Sequence, residues 1–266
     1  MRVPRLLCLF ALSLVAVGSA RPASASDVNP GHDLYQAVAD LSSHTFVDNP
    51  IPADFFDPGS DPFIGNVFFQ GGQIDPLSGC AADDLFGIDA VIRRPDPAVL
   101  PVIPSSDQVP IEIVELRLVS VSPVQVTYGG GSPEDWIVKV ELTPSVPQPL
   151  GQQWFFHTDP DPDGGASDLY LPVLPKFTFT RLSDNAERVL DYALTGPVVI
   201  ELFENGAPWV HNVPPPSSCT SNLCMSPDVS LVLSSNTTTL VLQSRCPSPP
   251  VQAEIRTWGS VKGIYR

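Results

Sequence analysis

The chain has 266 residues, 29 of them acidic and 14 basic, and so a formal charge of -15 at pH 7. Such a charge repels nucleic acid and anionic membrane surfaces and argues against both as partners. With 43% hydrophobic residues, 13 Phe and 4 Trp, the composition supplies a core and argues against a disordered chain. The 31 prolines and 18 glycines cut it into short segments and favour strands over helices.

The first 25 residues read as a secretory signal peptide: Arg2 and Arg5, an apolar run from Leu6 to Val17, then small residues ending in Ala23-Ser24-Ala25. Cleavage after Ala20 also satisfies the small-residue rule, but it would leave Arg21 and Pro22 beside the scissile bond, so cleavage after Ala25 is preferred. Cys8 leaves with the peptide. Processing removes three arginines and no acid, which takes the charge from -15 to -18. The apolar run is too short to cross a bilayer, and no integral membrane segment is expected in the mature chain. The expected location is secreted, or the bacterial periplasm or cell exterior.

A short N-terminal helix is predicted from Asp33 to Leu41, with Asp33 as its cap and Leu34, Val38 and Leu41 at helical spacing. The passage from Asn49 to Phe63 is rich in proline and aspartate and reads as ordered loop. Strands are predicted next at Asn66 to Gln70, Ile88 to Arg93, Glu112 to Ser120, Val124 to Tyr128 and Trp136 to Leu142. In the last of these Trp136, Val138, Val140 and Leu142 share one face and Lys139 and Glu141 the other. A second series covers Gln152 to His157, Phe177 to Arg181, Arg188 to Tyr192 and Val198 to Glu204. There Asn205-Gly206 reads as a tight turn before Trp209 and Val210 return. Val229 to Leu233 and Thr239 to Gln243 form the last pair. In the tail, Trp258, Val261 and Ile264 sit three apart and suggest a C-terminal helical turn.

The resulting fold class is all-β: an antiparallel β-sandwich, one large or two in tandem, with short helical segments at both ends. After the signal peptide (1–25), residues 26–143 form a β-rich region with the N-terminal helix and the Pro/Asp-rich loop. Residues 144–150 are a Pro-rich linker or a crossover, 151–246 a second β-rich region, and 247–266 a Pro-rich spacer with a basic, aromatic tail. That tail carries Arg256, Lys262 and Arg266, and it reads either as a docking or sorting segment or as a final piece packed on its own domain.

The segment from Ile51 to Gly65, the strand beginning Val109-Pro-Ile-Glu-Ile-Val114, the run Leu171-Pro-Val-Leu-Pro-Lys-Phe-Thr-Phe179 and the closing Trp258-Gly-Ser-Val-Lys-Gly-Ile-Tyr-Arg266 together resemble an uncharacterised group of exported bacterial proteins. The resemblance implies a bacterial envelope or extracellular setting and carries no activity or site with it.

Four cysteines survive processing, and an even number in an exported chain reads as disulfides. Cys219 with Cys224 and Cys80 with Cys246 is the favoured arrangement. A zinc site using His211, Cys219 and Cys224 is disfavoured, because the spacing matches no familiar ligand pattern. Asp159-Pro-Asp-Pro-Asp-Gly-Gly165, followed by Asp168, places carboxylates at alternate positions as an oxygen-rich calcium loop does. Tyr170 stands where a helical calcium hairpin needs a bidentate Glu, and Pro160 and Pro162 disfavour that hairpin. The remaining choices are a looser calcium site at Asp159, Asp161, Asp163 and Asp168 or a solvated acidic turn.

No catalytic set is identified. His157 has no recognisable nucleophile beside it, and carboxylate pairs such as Asp83 with Asp84 or Glu112 with Glu115 arise by chance among 29 acids. Trp136, Trp154, Trp209 and Trp258 are better read as core than as sugar-stacking platforms. Asn236-Thr-Thr238 fits a glycosylation acceptor. The functional expectation is an exported, non-enzymatic interaction or structural protein, calcium-stabilised if the acidic loop binds the ion, with a protein or carbohydrate partner. The alternative is a secreted carbohydrate-binding module or glycoside hydrolase.

Overall fold

The computed structural model describes residues 27–77, 80, 85–158, 164–194, 199–211, 223–225 and 230–245. The signal-peptide stretch and the tail from 247 on, with its expected helical turn, lie outside the described residues. In chain order the strands are β1 (Gly31–Ala37), β2 (Ser42–Thr45), β3 (Asn66–Gly71), β4 (Ala90–Arg94), β5 (Ser105–Ser120), β6 (Val124–Val126), β7 (Glu134–Leu142) and β8 (Gly151–His157). There follow β9 (Gly164–Val173), β10 (Pro175–Arg181), β11 (Glu187–Asp191), β12 (Ile200–His211), β13 (Leu223–Met225), β14 (Ser230–Ser234) and β15 (Thr238–Ser244).

Eight of these strands close on themselves in the order β5, β3, β2, β15, β14, β12, β9, β8, and the β5–β8 ladder from Ser105 opposite His157 to Ile111 opposite Gly151 completes the ring. The architecture is an antiparallel β-barrel with extra strands, which corrects the expected sandwich. A sandwich leaves edges that the β5–β8 ladder here pairs. Period-two burial reports that one face of a strand is covered, and it does so equally for a closed sheet and for two stacked ones.

The predicted helix is also corrected. Residues 31–37 are strand β1, with Asp33, Tyr35 and Ala37 turned to the barrel core while Leu34 packs outside with Ile74, Leu85, Ile88 and Val91. Both faces of β1 are covered because Ile74, Leu77, Leu85 and Ile88 pack over its outside, so Leu34 is buried out of phase with Tyr35 and Ala37 and reads as the start of a helical stripe. Leu41, the third member of that stripe, is exposed, and Asp33 pairs with Arg94 instead of capping.

Two bulges bend the staves. Along β5 the buried positions run Val109, Ile111, Ile113 and then Leu116, Leu118, Ser120, because Val114 is an extra residue between Val91 opposite Glu115 and Ile92 opposite Ile113. In β12 the phase changes from Ile200 and Leu202 to Ala207 and Trp209. Asn205-Gly206, read as a hairpin turn, is this bulge: Gly206 has φ +71° and its N–H donates to Asp168 Oδ1 (2.7 Å). Residues 144–150 join β7 to β8, and Gln148 brackets the backbone of Leu174 through both ends of its amide.

The barrel is filled by side chains. Phe46, Phe56, Phe177, Phe179 and Trp136 form an aromatic cluster of edge-to-face and tilted contacts, and Trp209 packs edge-to-face on Phe155. The buried Arg94–Asp33 pair lies among them, with the guanidinium 5.3 Å from the Phe155 ring centroid. Beside His44 remains a void of about 20 Å³ lined by Phe69, Leu118, Val140, Phe177, Leu202 and Leu240. That is room for about one water, so this part of the lumen is core and not a ligand chamber.

Candidate outer cleft

The staves break in one place together. β1 pairs with β4 and β2 with β3, so the step from β1 to β2 at 38–41 lies opposite the long connection from β3 to β4. A cleft of about 620 Å³ opens there on the outside of the barrel. Gln36, Gln70, Gln73 and Gln243 line it, Phe86 stands at its wall with 83% of its surface exposed, and Asp89 forms its floor.

Asp89 bridges the gap that the broken ladder leaves. Its backbone N–H donates to Tyr35 O, its carbonyl accepts from Arg117 N–H (2.7 Å), and its Oδ1 accepts from Ala37 N–H (2.7 Å). The other carboxylate oxygen presses against Gly71, where a Cβ would overlap it. Glycine is required at 71 for this close approach. Burial pushes the Asp89 carboxyl up to about 7, against the opposing pull of the Ala37 N–H and of Arg245. The floor of the cleft is therefore a carboxyl that is both acid and base near neutral pH. The side-chain amides of Gln36, Gln70 and Gln73 make no hydrogen bond among the described residues and are available as donors and acceptors.

The residues singled out by sequence lie elsewhere. Asp168 sits within β9, where its Oδ1 holds the Gly206 bulge, while Asp159, Asp161 and Asp163 lie outside the described residues. Among the described residues no three His, Cys, Asp or Glu side chains converge as a metal site. Cys80 is disulfide-bonded and packs beside Leu34 and Ile74. Cys219 and Cys246 lie outside the described residues, and the Cys224 backbone pairs opposite Val210. His157 is buried over Trp209, and neither ring nitrogen has a partner among the described residues. Glu112 is paired with Arg93, and Asp83 and Asp84 lie outside the described residues. Trp136 and Trp209 are fully buried, Trp154 is half-buried, and Trp258 lies outside the described residues. Asn236 is exposed at the tip of the β14–β15 hairpin.

Sequence reasoning missed the cleft because its glutamines come from three separate strands and the β3–β4 connection, with no spacing in common. One signal was present: strand β3 runs into Gly71-Gly72, and glycine in a strand marks a close approach of something else.

What the fold and the cleft define is an antiparallel β-barrel with an external, amide-lined cleft. Compared with known protein families, curated proteins and solved structures, the chain matches none.

Proposed function

We propose that this protein is an exported, non-enzymatic binding module that takes a carbohydrate in the outer cleft. The observation that carries the reading is the juxtaposition of four glutamine side chains with the exposed ring of Phe86 in one cleft of about 620 Å³. Carboxamides donate to and accept from sugar hydroxyls, and an exposed aromatic face covers the apolar side of a pyranose. Export rests on the charged, apolar, small-residue order of residues 1–25. A hydrolase is disfavoured, because glycoside hydrolysis by the usual route takes two facing carboxyl groups and Asp89 is the sole carboxyl among the described lining residues.

The test is affinity electrophoresis of the mature chain through gels containing soluble glucans, mannans, xylans or galactans, with Phe86→Ala alongside. Retardation by at least one polysaccharide, reduced tenfold or more in Phe86→Ala at unchanged thermal midpoint, is the expected result. Migration unaffected by every polysaccharide, or retardation that Phe86→Ala leaves intact, would overturn the reading.

A further inference from the structure

We infer that the chain's own C-terminal segment, residues 247–266, docks in the outer cleft and competes there with the external ligand. This regulation rests on the cleft being a binding site. Three observations favour this occupant. The first is position. Gln243 is part of the cleft wall, Arg245 N–H donates to Leu34 O (2.9 Å), and the Arg245 guanidinium reaches to within 3.4 Å of where a Cβ on Gly87, another wall residue, would lie. Arg245, the last described residue before the segment, therefore lies at the lip of the cleft.

The second is charge. The segment carries Arg256, Lys262 and Arg266 against Glu254 alone, on a chain whose overall charge is -15. The cleft has the partly ionised Asp89 at its floor, and Asp40 and the Arg117-paired Asp75 stand one and two residues beyond the wall segments 36–39 and 70–73. The third is side-chain chemistry. Trp258 and Tyr265 provide flat rings of the kind that pack on Phe86, and an extended peptide backbone presents the N–H and C=O groups that free glutamine amides pair with. The sequence places three prolines, at 247, 249 and 250, between the anchor and the aromatic, basic residues of the segment.

The tether makes even a weak contact effective. A short linker presents its cargo at an effective concentration on the order of 1 mM. A segment that binds in trans with a dissociation constant of about 100 μM would thus fill the site roughly ten to one in cis.

The experiment uses the full mature chain with a specific protease site placed between Pro250 and Val251, examined before and after cleavage. A fluorescent peptide of residues 251–266 is titrated with each form, with the cleaved and exchanged Phe86→Ala protein as control, and anisotropy is read. The expected result is that the peptide binds the cleaved and exchanged protein at least tenfold more tightly than the intact chain, and that Phe86→Ala removes the difference. Equal binding by intact and cleaved protein, or no binding by either, would overturn the inference. Polysaccharide retardation of the same samples separates the two readings. Retardation that is sensitive to Phe86 but unchanged by cleavage leaves the carbohydrate site standing and removes the tail. Peptide binding without retardation keeps the docking contact and removes carbohydrate as its competitor.

Discussion

Burial raises the Asp89 carboxyl to about 7 and lowers the His44 imidazole to about 4, and the two act on stability in opposite senses. A carboxyl raised in the folded state binds more protons there than in the unfolded chain, so its contribution is full at low pH and is lost as pH rises from about 4 to about 7. A buried neutral histidine binds fewer protons when folded, so its contribution is present above about 6.5 and is lost as pH falls toward 4. Urea midpoints between pH 4 and 7 should show this. Relative to the parent, Asp89→Asn should gain as pH rises, and His44→Gln should gain as pH falls. Profiles parallel to the parent would contradict both assignments. His44 bridges Thr238 Oγ1 (2.7 Å) and Tyr192 OH (3.2 Å) inside the barrel, and nothing in the local sequence around Ser43-His44-Thr45 announces it. Such roles come from residues far apart in the chain, so periodicity does not report them. The buried pair Arg94–Asp33 is the same kind of case. Removing one partner with Asp33→Leu should cost about 3–5 kcal/mol, more than the double replacement Asp33→Leu with Arg94→Met, because the single change strands a buried charge. Chemical denaturation of the single and double variants checks the order.

At the scale of elements, the strands with clean alternation were legible. Trp136 to Leu142 was placed by its alternating apolar residues and corresponds to β7, and the strand predicted at Gln152 to His157 corresponds to β8. The misses share a physical reason. β1 is covered on both faces, so its apolar positions lose period two, and β9 begins directly after the acidic loop, so its first residues, Gly-Gly-Ala-Ser-Asp, read as turn. Bulges were not legible either, since Asn205-Gly206 has the same composition whether it reverses a chain or kinks one. The structural role of Gly206 can be tested by Gly206→Val, which forces a β-branched side chain to φ +71° and should lower stability by about 1–2 kcal/mol. Gly206→Asn should be milder, because Asn tolerates that region. The acidic loop joining β8 to β9 stays in the account as a proposed calcium site. Calcium in the millimolar range should raise the thermal midpoint by a few degrees over chelator, and Asp161→Ala with Asp163→Ala should abolish the rise.

The whole molecule is held by one large core that draws on residues from Val28 to Leu242, with a smaller cluster outside β1 and β4. Cys80 belongs to that outer cluster, and Arg245, the residue before Cys246, is hydrogen-bonded to Leu34 of the same cluster. This proximity supports the expected Cys80–Cys246 pairing, which would fix the root of the C-terminal segment beside the cleft. Peptide mapping under non-reducing conditions should recover the two cysteines in one linked fragment. Reduction should cost stability, by about 4–5 kcal/mol in the loop-entropy limit for so long a closed loop. The all-β class was readable from proline, glycine and alternation. Closure was not, since the β5–β8 ladder joins residues about forty to fifty apart whose sequences give no sign of each other. Nor was the cleft, which exists only because two staves break at the same level.

The measurement that bears most directly on the cleft is an NMR titration of the glutamine side-chain amides, using an oligosaccharide cut from whichever polysaccharide retards the protein. The account expects the largest shifts at Gln36, Gln70, Gln73 and Gln243, with the Ala37 amide, bonded to Asp89, moving alongside them. Shifts confined to the barrel interior around His157 or to the loop between β8 and β9, with these amides unmoved, would contradict it.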